Sequence, residues 1–162
     1  MTWMKKSLAA CLVLCLGLAL CGCDKSEKDS VDPKQDQATI LSCIALLGAA
    51  EEELVSQMGE GQRTLLDGTQ ETLFREYALS LFGQSIPFMA TIDLGHVLDI
   101  SATLDGSYDD WVQTIKASLG EPTVSDDEQT DIRESRWAFE GGGLALIVEQ
   151  ETSTLSFYKD GA

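Results

Sequence analysis

His96 is the only histidine of this 162-residue chain, and it stands beside Gly95 in the run DLGHV. The familiar frames for chemistry are absent: there is no G-x-S-x-G nucleophile elbow, no Walker loop and no H-E-x-x-H pair. His96 therefore reads as a solvated residue at a hairpin tip. Gly141, Gly142 and Gly143 lie between two strand-like runs, so they read as a reversal rather than as a phosphate cradle opening a helix. Asp109 and Asp110 sit together at a helix start, where capping explains them. Asp126, Asp127, Glu128 and Asp131 crowd the run SDDEQTD, and oxygen-rich loops can hold calcium. Their spacing lacks the EF-hand glycine, so a solvated turn is the better reading. No catalytic residue, no metal site and no cofactor is expected. An enzyme reading would need two inward carboxylates facing one cleft, as in a carboxylate-dependent hydrolase.

Residues suited to recognition are easier to find. Tyr77, Trp137, Phe139, Phe157 and Tyr158 lie in strand-like runs, while Arg75, Arg133 and Arg136 are rare positive points in an acidic chain. Aromatic and arginine side chains dominate interface energetics. Arg75, Tyr77, Arg133, Arg136 and Trp137 are therefore the candidate binding residues, on a sheet face left open. The plainer alternative is that the aromatics fill a core and the arginines neutralise nearby acids.

The cysteines carry a different chemistry. Lys5 and Lys6 precede an uncharged run of about fourteen residues from Ser7 to Leu20, and small residues follow at Cys21, Gly22 and Cys23. That layout is a secretory signal, too short for a membrane-crossing helix, which needs about 20 residues. Within it, LCGC at Leu20 to Cys23 resembles the bacterial lipobox. The resemblance implies cleavage after Gly22 and diacylation of Cys23, whose thiolate is the acceptor; each buried methylene then adds about 0.8 kcal/mol of membrane affinity. Residues 1–22 are thus expected to be a lipoprotein signal peptide, and the protein to be lipid-anchored outside the cytoplasm in a bacterial envelope. Asp24 after that cysteine resembles the inner-membrane retention signal of enteric bacteria. Removal of the signal leaves Cys43 as the only free thiol, in the apolar run TILSCIALL, so no intramolecular disulfide and no Cys/His zinc cluster is expected.

Residues 23–37 comprise the lipidated cysteine and a polar segment, DKSEKDSVDPKQDQ, whose only sizeable apolar side chain is Val31. Such a composition buries too little to order itself, so a disordered tether reaching about 20 Å is expected. From residue 38 about 125 residues remain, enough for one domain burying roughly two thirds of its unfolded surface. The chain's formal net charge is −16. Phosphate backbones need the opposite sign, which excludes nucleic acid. Anionic lipid would also be repelled, leaving the fatty chains on Cys23 to hold the membrane.

The elements expected to position these residues follow one order twice. LLGAAEEELVSQMGEG precedes ETLFREYALSLFG, IPFMATIDLG and VLDISATLDG; DGSYDDWVQTIKASLGEP precedes DIRESRWAFEGGG, LALIVEQE and TLSFYKDG. Each half reads as a helix, a glycine stop, then strands. Ser107 and Asp110 form a capping pair ahead of Trp111, Ile115 and Leu119 at four-residue spacing, with Gly120 and Pro122 as stop. Glu51 to Glu53 suit the first turn of the earlier helix, Leu54 and Met58 form its apolar stripe, and Gly59 ends it. Ile40 to Leu47 reads either as a separate helical turn or as part of one longer helix. Alternation places Leu73, Tyr77, Leu79 and Leu81 with Arg75 on one side of the first long strand. It places Leu98, Ile100, Ala102 and Leu104 together on a later one. The fold class expected is α+β: a tandem repeat, about residues 38–104 and 105–162, of a helical segment and an antiparallel strand meander, with helices on one sheet face.

On Gly48, Glu53, Leu54 and Gly59 in the first half, and Trp111, Ile115 and Gly120-Glu121-Pro122 in the second, the chain resembles β-lactamase inhibitor proteins. It also resembles small outer-membrane assembly lipoproteins of the BamE/SmpA type. The disulfides inside each repeat of the inhibitor proteins cannot form here, and the usual GMT helix opening is GAA at Gly48 to Ala50. The resemblance implies a fold more than a function. The leading expectation is a membrane-anchored, non-catalytic module that binds a protein or peptide; an envelope-assembly accessory is the alternative.

Overall fold

Asp32 accepts hydrogen bonds from the backbone N–H groups of Lys34 and Gln35, and Pro33 occupies the first helical position, where its missing N–H costs nothing. Helix α1 (Pro33–Leu46) therefore starts inside the segment whose composition suggests a tether up to residue 37. That boundary is corrected by Asp36, which is buried and accepts from Phe82 N–H at 2.9 Å and Ser118 Oγ at 2.6 Å. A carboxylate satisfied in this way can be ordered without apolar burial of its own. The computed structural model describes residues 31–66, 71–127 and 132–161.

Leu47 closes α1, and residues 48–50 then run beside the start of a later strand, with Gly48 N–H donating to Val97 and Val97 N–H to Ala49. Helix α1 is thus separate from helix α2 (Glu51–Met58), which buries Leu54 and ends at Gly59, φ 84°. Strands β1 (Gln62–Leu65), β2 (Thr72–Leu81), β3 (Gln84–Asp93) and β4 (His96–Leu104) follow. Helix α3 (Tyr108–Leu119) is capped by Ser107 as its sequence predicts and ends at Gly120, φ 85°. Strands β5 (Thr123–Asp127), β6 (Ile132–Phe139), β7 (Gly142–Glu149) and β8 (Thr152–Lys159) complete the chain. The class is α+β, with one eight-stranded antiparallel sheet in the order β1-β2-β3-β4-β8-β7-β6-β5.

Three reversals are two-residue turns with both residues at positive φ: Phe82-Gly83, Leu94-Gly95 and Gln150-Glu151. This is the backbone that matches the strand twist. At Glu140-Gly141 only the glycine has positive φ, and Gly142 and Gly143 belong to β7 rather than to the turn. They are needed there for close approach. A side chain at Gly142 would run into the Tyr158 carbonyl oxygen, and one at Gly143 would strike the Tyr158 ring.

Leu73, Arg75, Tyr77 and Leu81 are buried at alternate positions of β2 and face Ile86, Phe88, Ala90 and Ile92 of β3 within one core. The core crosses the β4–β8 seam, where Phe88 and Phe157 rings sit 5.3 Å apart. On β4 the expected alternation fails at one residue. A bulge shifts the register between Thr91 and Ile92, pairing Ile92 with Val97, and Leu98 becomes the extra residue. Val97 is buried in its place, while Leu98 is 62% exposed.

Candidate functional site

Four of the five candidate binding residues hold helices to the sheet. Arg75 on β2 donates from Nε and Nη2 to Glu51 Oε1 at 2.9 and 2.7 Å, joining the first residue of α2 to the strand, and its Nη1 donates to the Glu60 carbonyl. Burial lowers the Arg75 pKa and the Glu51 pair more than offsets it, so the guanidinium is held above its ordinary value. Tyr77, two positions along, donates to the carbonyl oxygen of Gly59 at 3.2 Å. Trp137 on β6 donates from Nε1 to the Gly120 carbonyl at 2.9 Å. Arg133 lies over the Tyr108 ring at 4.6 Å and donates to Asp109 at 3.2 Å, while Tyr108 shares a 2.7 Å hydrogen bond with the buried Ser135. Helices α2 and α3 are thus each tied at the start and at the glycine stop to one strand, α2 to β2 and α3 to β6.

Arg75, Tyr77 and Trp137 are buried and so are not on an open face, contrary to the expectation drawn from residue type. The physical reason is parity: all three share the strand side that carries Leu73, Leu81 and Ser135. Arg133 is on that side too, at its rim beside α3. Arg136 alone points the other way. Its Nε donates to Glu134 at 2.8 Å, which raises its pKa, and it lies 5.3 Å from the Tyr158 ring centre. Tyr158 covers Gly143, so β6, β7 and β8 are bridged on this second side by Glu134, Arg136 and one aromatic ring.

No family model, curated protein or solved structure matches this chain.

The second side of the sheet therefore has to be read from its own side chains. Its middle is hydroxyl-rich: Ser101 pairs with Ser156 and Thr103 with Thr154 across β4 and β8. Asp99 accepts from both Ser101 and Ser156. On β2 to β4 the same side shows Phe74, Glu76, Met89, Thr91 and Asp93, with Leu98 beside them. Met89 and Leu98 are missing from the sequence-derived candidates. A single Met between polar strand residues is an unremarkable signal, and a bulge leaves no mark in period-two alternation.

His96 is exposed, at the first position of β4 after the Leu94-Gly95 turn, as expected. Cys43 is buried and unpaired, and burial pushes its thiol up to about 12, which makes it a core residue and not a nucleophile at neutral pH. The backbone of Asp126 and Asp127 lies in β5, paired with Arg133 and Ile132. Glu128 and Asp131, and with them the suggested calcium loop, lie outside the described residues, as does Cys23. No group of three His, Cys, Asp or Glu side chains able to hold a metal ion occurs among the described residues.

Proposed function

We propose that this protein is a non-catalytic protein- or peptide-binding module, anchored outside the cytoplasm by lipid on Cys23, with the second sheet side as its contact surface. The observation that carries the reading is that surface. The side bearing Glu76, Met89, Thr103 and Arg136 keeps them exposed, while the opposite positions of the same strands are among the most buried in the chain. An antiparallel sheet can present one solvated face in this way, and such a face offers alternate side chains to a partner.

Two architectural points belong to the same reading. The three helices of the described residues cover the buried side, and the halves, about residues 38–104 and 105–162, are structural repeats. Supporting the repeat and the placement of α2 and α3, β2 and β6 make the same two attachments. A residue on each strand meets the first residue of its helix, Arg75 with Glu51 and Ser135 with Tyr108. Two positions later an aromatic donates to the carbonyl of the helix-ending glycine, Tyr77 to Gly59 and Trp137 to Gly120. No helix among the described residues is long and apolar enough to cross a membrane. Anchoring in this reading therefore falls to acylation of Cys23, and α1 begins only ten residues beyond it at Pro33.

Metabolic labelling of cells with an alkyne-bearing palmitate analogue tests the anchor. The full chain is expected to take up label and to fractionate with membranes, and Cys23→Ala to lose both. An unlabelled chain whose fractionation ignores that substitution would overturn the anchored reading.

A further inference from the structure

The bases of this domain are largely consumed. Arg63 lies 4.0 Å from Glu51, Arg75 is held by Glu51 and Glu60, Lys116 by Glu121, Arg133 by Asp109 and Arg136 by Glu134. No ion pair joins a base to Glu76, Asp93 or Asp99 among the described residues. Among the described residues, Asp93 accepts from the hydroxyl of Thr72 and Asp99 from those of Ser101 and Ser156. These three acids share one corner of the uncovered sheet side, on β2, β3 and β4. Register sets them among apolar side chains: Glu76 is paired with Met89, Thr91 with both Phe74 and Asp99, and Leu98 precedes Asp99.

That corner also holds the two most exposed large apolar side chains among the described residues, Leu94 at the hairpin tip at 71% and Leu98 on the bulge at 62%, with Met89 beside them at 40%. The bulge costs β4 a ladder position and turns a leucine into water, where a regular strand would have buried it. Apolar groups gathered on a monomer surface and rimmed by charge mark contact sites. Their charge selects the occupant. A second copy of this chain would bring the same acids against them, and like charges set opposite each other oppose pairing. A cationic segment gains the Coulomb energy that the acids lack at present, and its apolar side chain covers Met89 and Leu98.

We infer that the β2–β4 corner formed by Phe74, Met89, Leu94 and Leu98 among Glu76, Asp93 and Asp99 docks a partner-protein segment carrying lysine or arginine beside a bulky apolar residue. This rests on the binding-module reading and gives it a location and a chemistry.

The test is photo-crosslinking of the full chain in the cells that make it. A photoreactive amino acid is placed at Leu94 in the corner, at Thr154 on the β8 part of the same sheet side, or at Leu41 on α1. The adducts are sequenced to the attached residue. Expected is an adduct from Leu94 onto a segment of positive net charge, reduced at least tenfold by Glu76→Lys and by Leu98→Ser, each shown by circular dichroism to melt as the parent does. Attachment from Leu94 to a neutral or acidic segment, or indifference to Glu76→Lys, overturns the charge argument. Adducts from Thr154 or Leu41 but not Leu94 overturn this corner while leaving a binding module intact. No adduct from any of the three positions overturns both.

Discussion

A thiol sealed in the core makes this protein sensitive to alkali. Cys43 is 2% exposed, and burial pushes its pKa from 9.0 to about 12. Below pH 9 folded and unfolded chains both keep the proton, and the thiol contributes no pH dependence. Between 9 and 12 the unfolded chain loses it while the folded chain holds it, so fewer protons are bound on unfolding and stability falls as pH rises. At about 1.4 kcal/mol per unit the loss across that window is about 4 kcal/mol. Tyr77 and Tyr158, both raised chiefly by burial, add to the same trend above about pH 10. Urea titrations at pH 8 and pH 11 check it: Cys43→Ala is expected to lose much less stability between the two than the parent, and equal losses would refute the assignment. Arg75 raises a different question, because its partners differ. Glu51 is 22% exposed and Glu60 83%. Arg75→Ala strands a half-buried carboxylate and is expected to cost about 2 kcal/mol, against about 0.5 kcal/mol or less for Glu60→Ala. A chemical-denaturation series on Arg75→Ala, Glu51→Ala and the Arg75/Glu51 double variant measures the coupling, and Glu60→Ala in the same series checks the smaller cost.

Elements depend on residues whose reasons lie elsewhere in the chain. Asp36 on α1 receives Phe82 N–H from the β2–β3 turn and the Ser118 hydroxyl from α3, so one carboxylate fixes three elements. Asp36→Ala leaves a buried N–H without a partner and is expected to cost about 3 kcal/mol. Asp36→Asn keeps an acceptor and should retain part of that. Thermal melts of both variants decide whether the carboxylate or only its oxygen matters. Gly142 makes a similar point: an added methyl would press on the Tyr158 backbone and, at 2.9 Å, on Ile44 of α1. Gly142→Ala therefore has to shift a strand or a helix, whereas Gly141→Ala strains only a turn with open space around it. Much at this scale is legible in local patterns. The Ser107 cap, the Gly59 and Gly120 stops and the six long strands all leave signatures within a few residues. The start of α1 was hidden because Asp32 and Pro33 also suit a coil and the partners of Asp36 are 46 and 82 residues away. Strands β1 and β5 are the sheet edges, exposed where described, so they lack the alternation that identifies the others. Residue types alone suggested Arg75, Tyr77 and Trp137 for an open face; their parity with Leu73 and Ser135 was the better guide.

The whole molecule carries a formal charge of −16, and folding brings those charges closer together. Two effects of salt then compete. Screening weakens the ion pairs of Arg63, Arg75, Lys116, Arg133 and Arg136, which lowers stability, and it weakens the repulsion among the remaining acids, which raises it. The pairs are the smaller term. Those at the surface contribute about 0–1 kcal/mol each, and the Arg75–Glu51 pair is screened less because the arginine is 8% exposed. The repulsion involves every unpaired acid within the screening distance, which shrinks from about 30 Å at 0.01 M to about 8 Å at 0.15 M. The full chain in neutral detergent is therefore expected to melt several degrees higher in 0.15 M than in 0.01 M sodium chloride. Glu76→Gln combined with Glu149→Gln, both exposed, should raise the low-salt midpoint and flatten its rise with salt. A midpoint that fell on adding salt would mean that the ion pairs outweigh the repulsion. Either outcome leaves the formal charge at −16 and leaves Glu76, Asp93 and Asp99 without an ion pair among the described residues. The melting curve thus measures how the domain balances its own charges, and the crosslinking experiment separately measures what those acids attract.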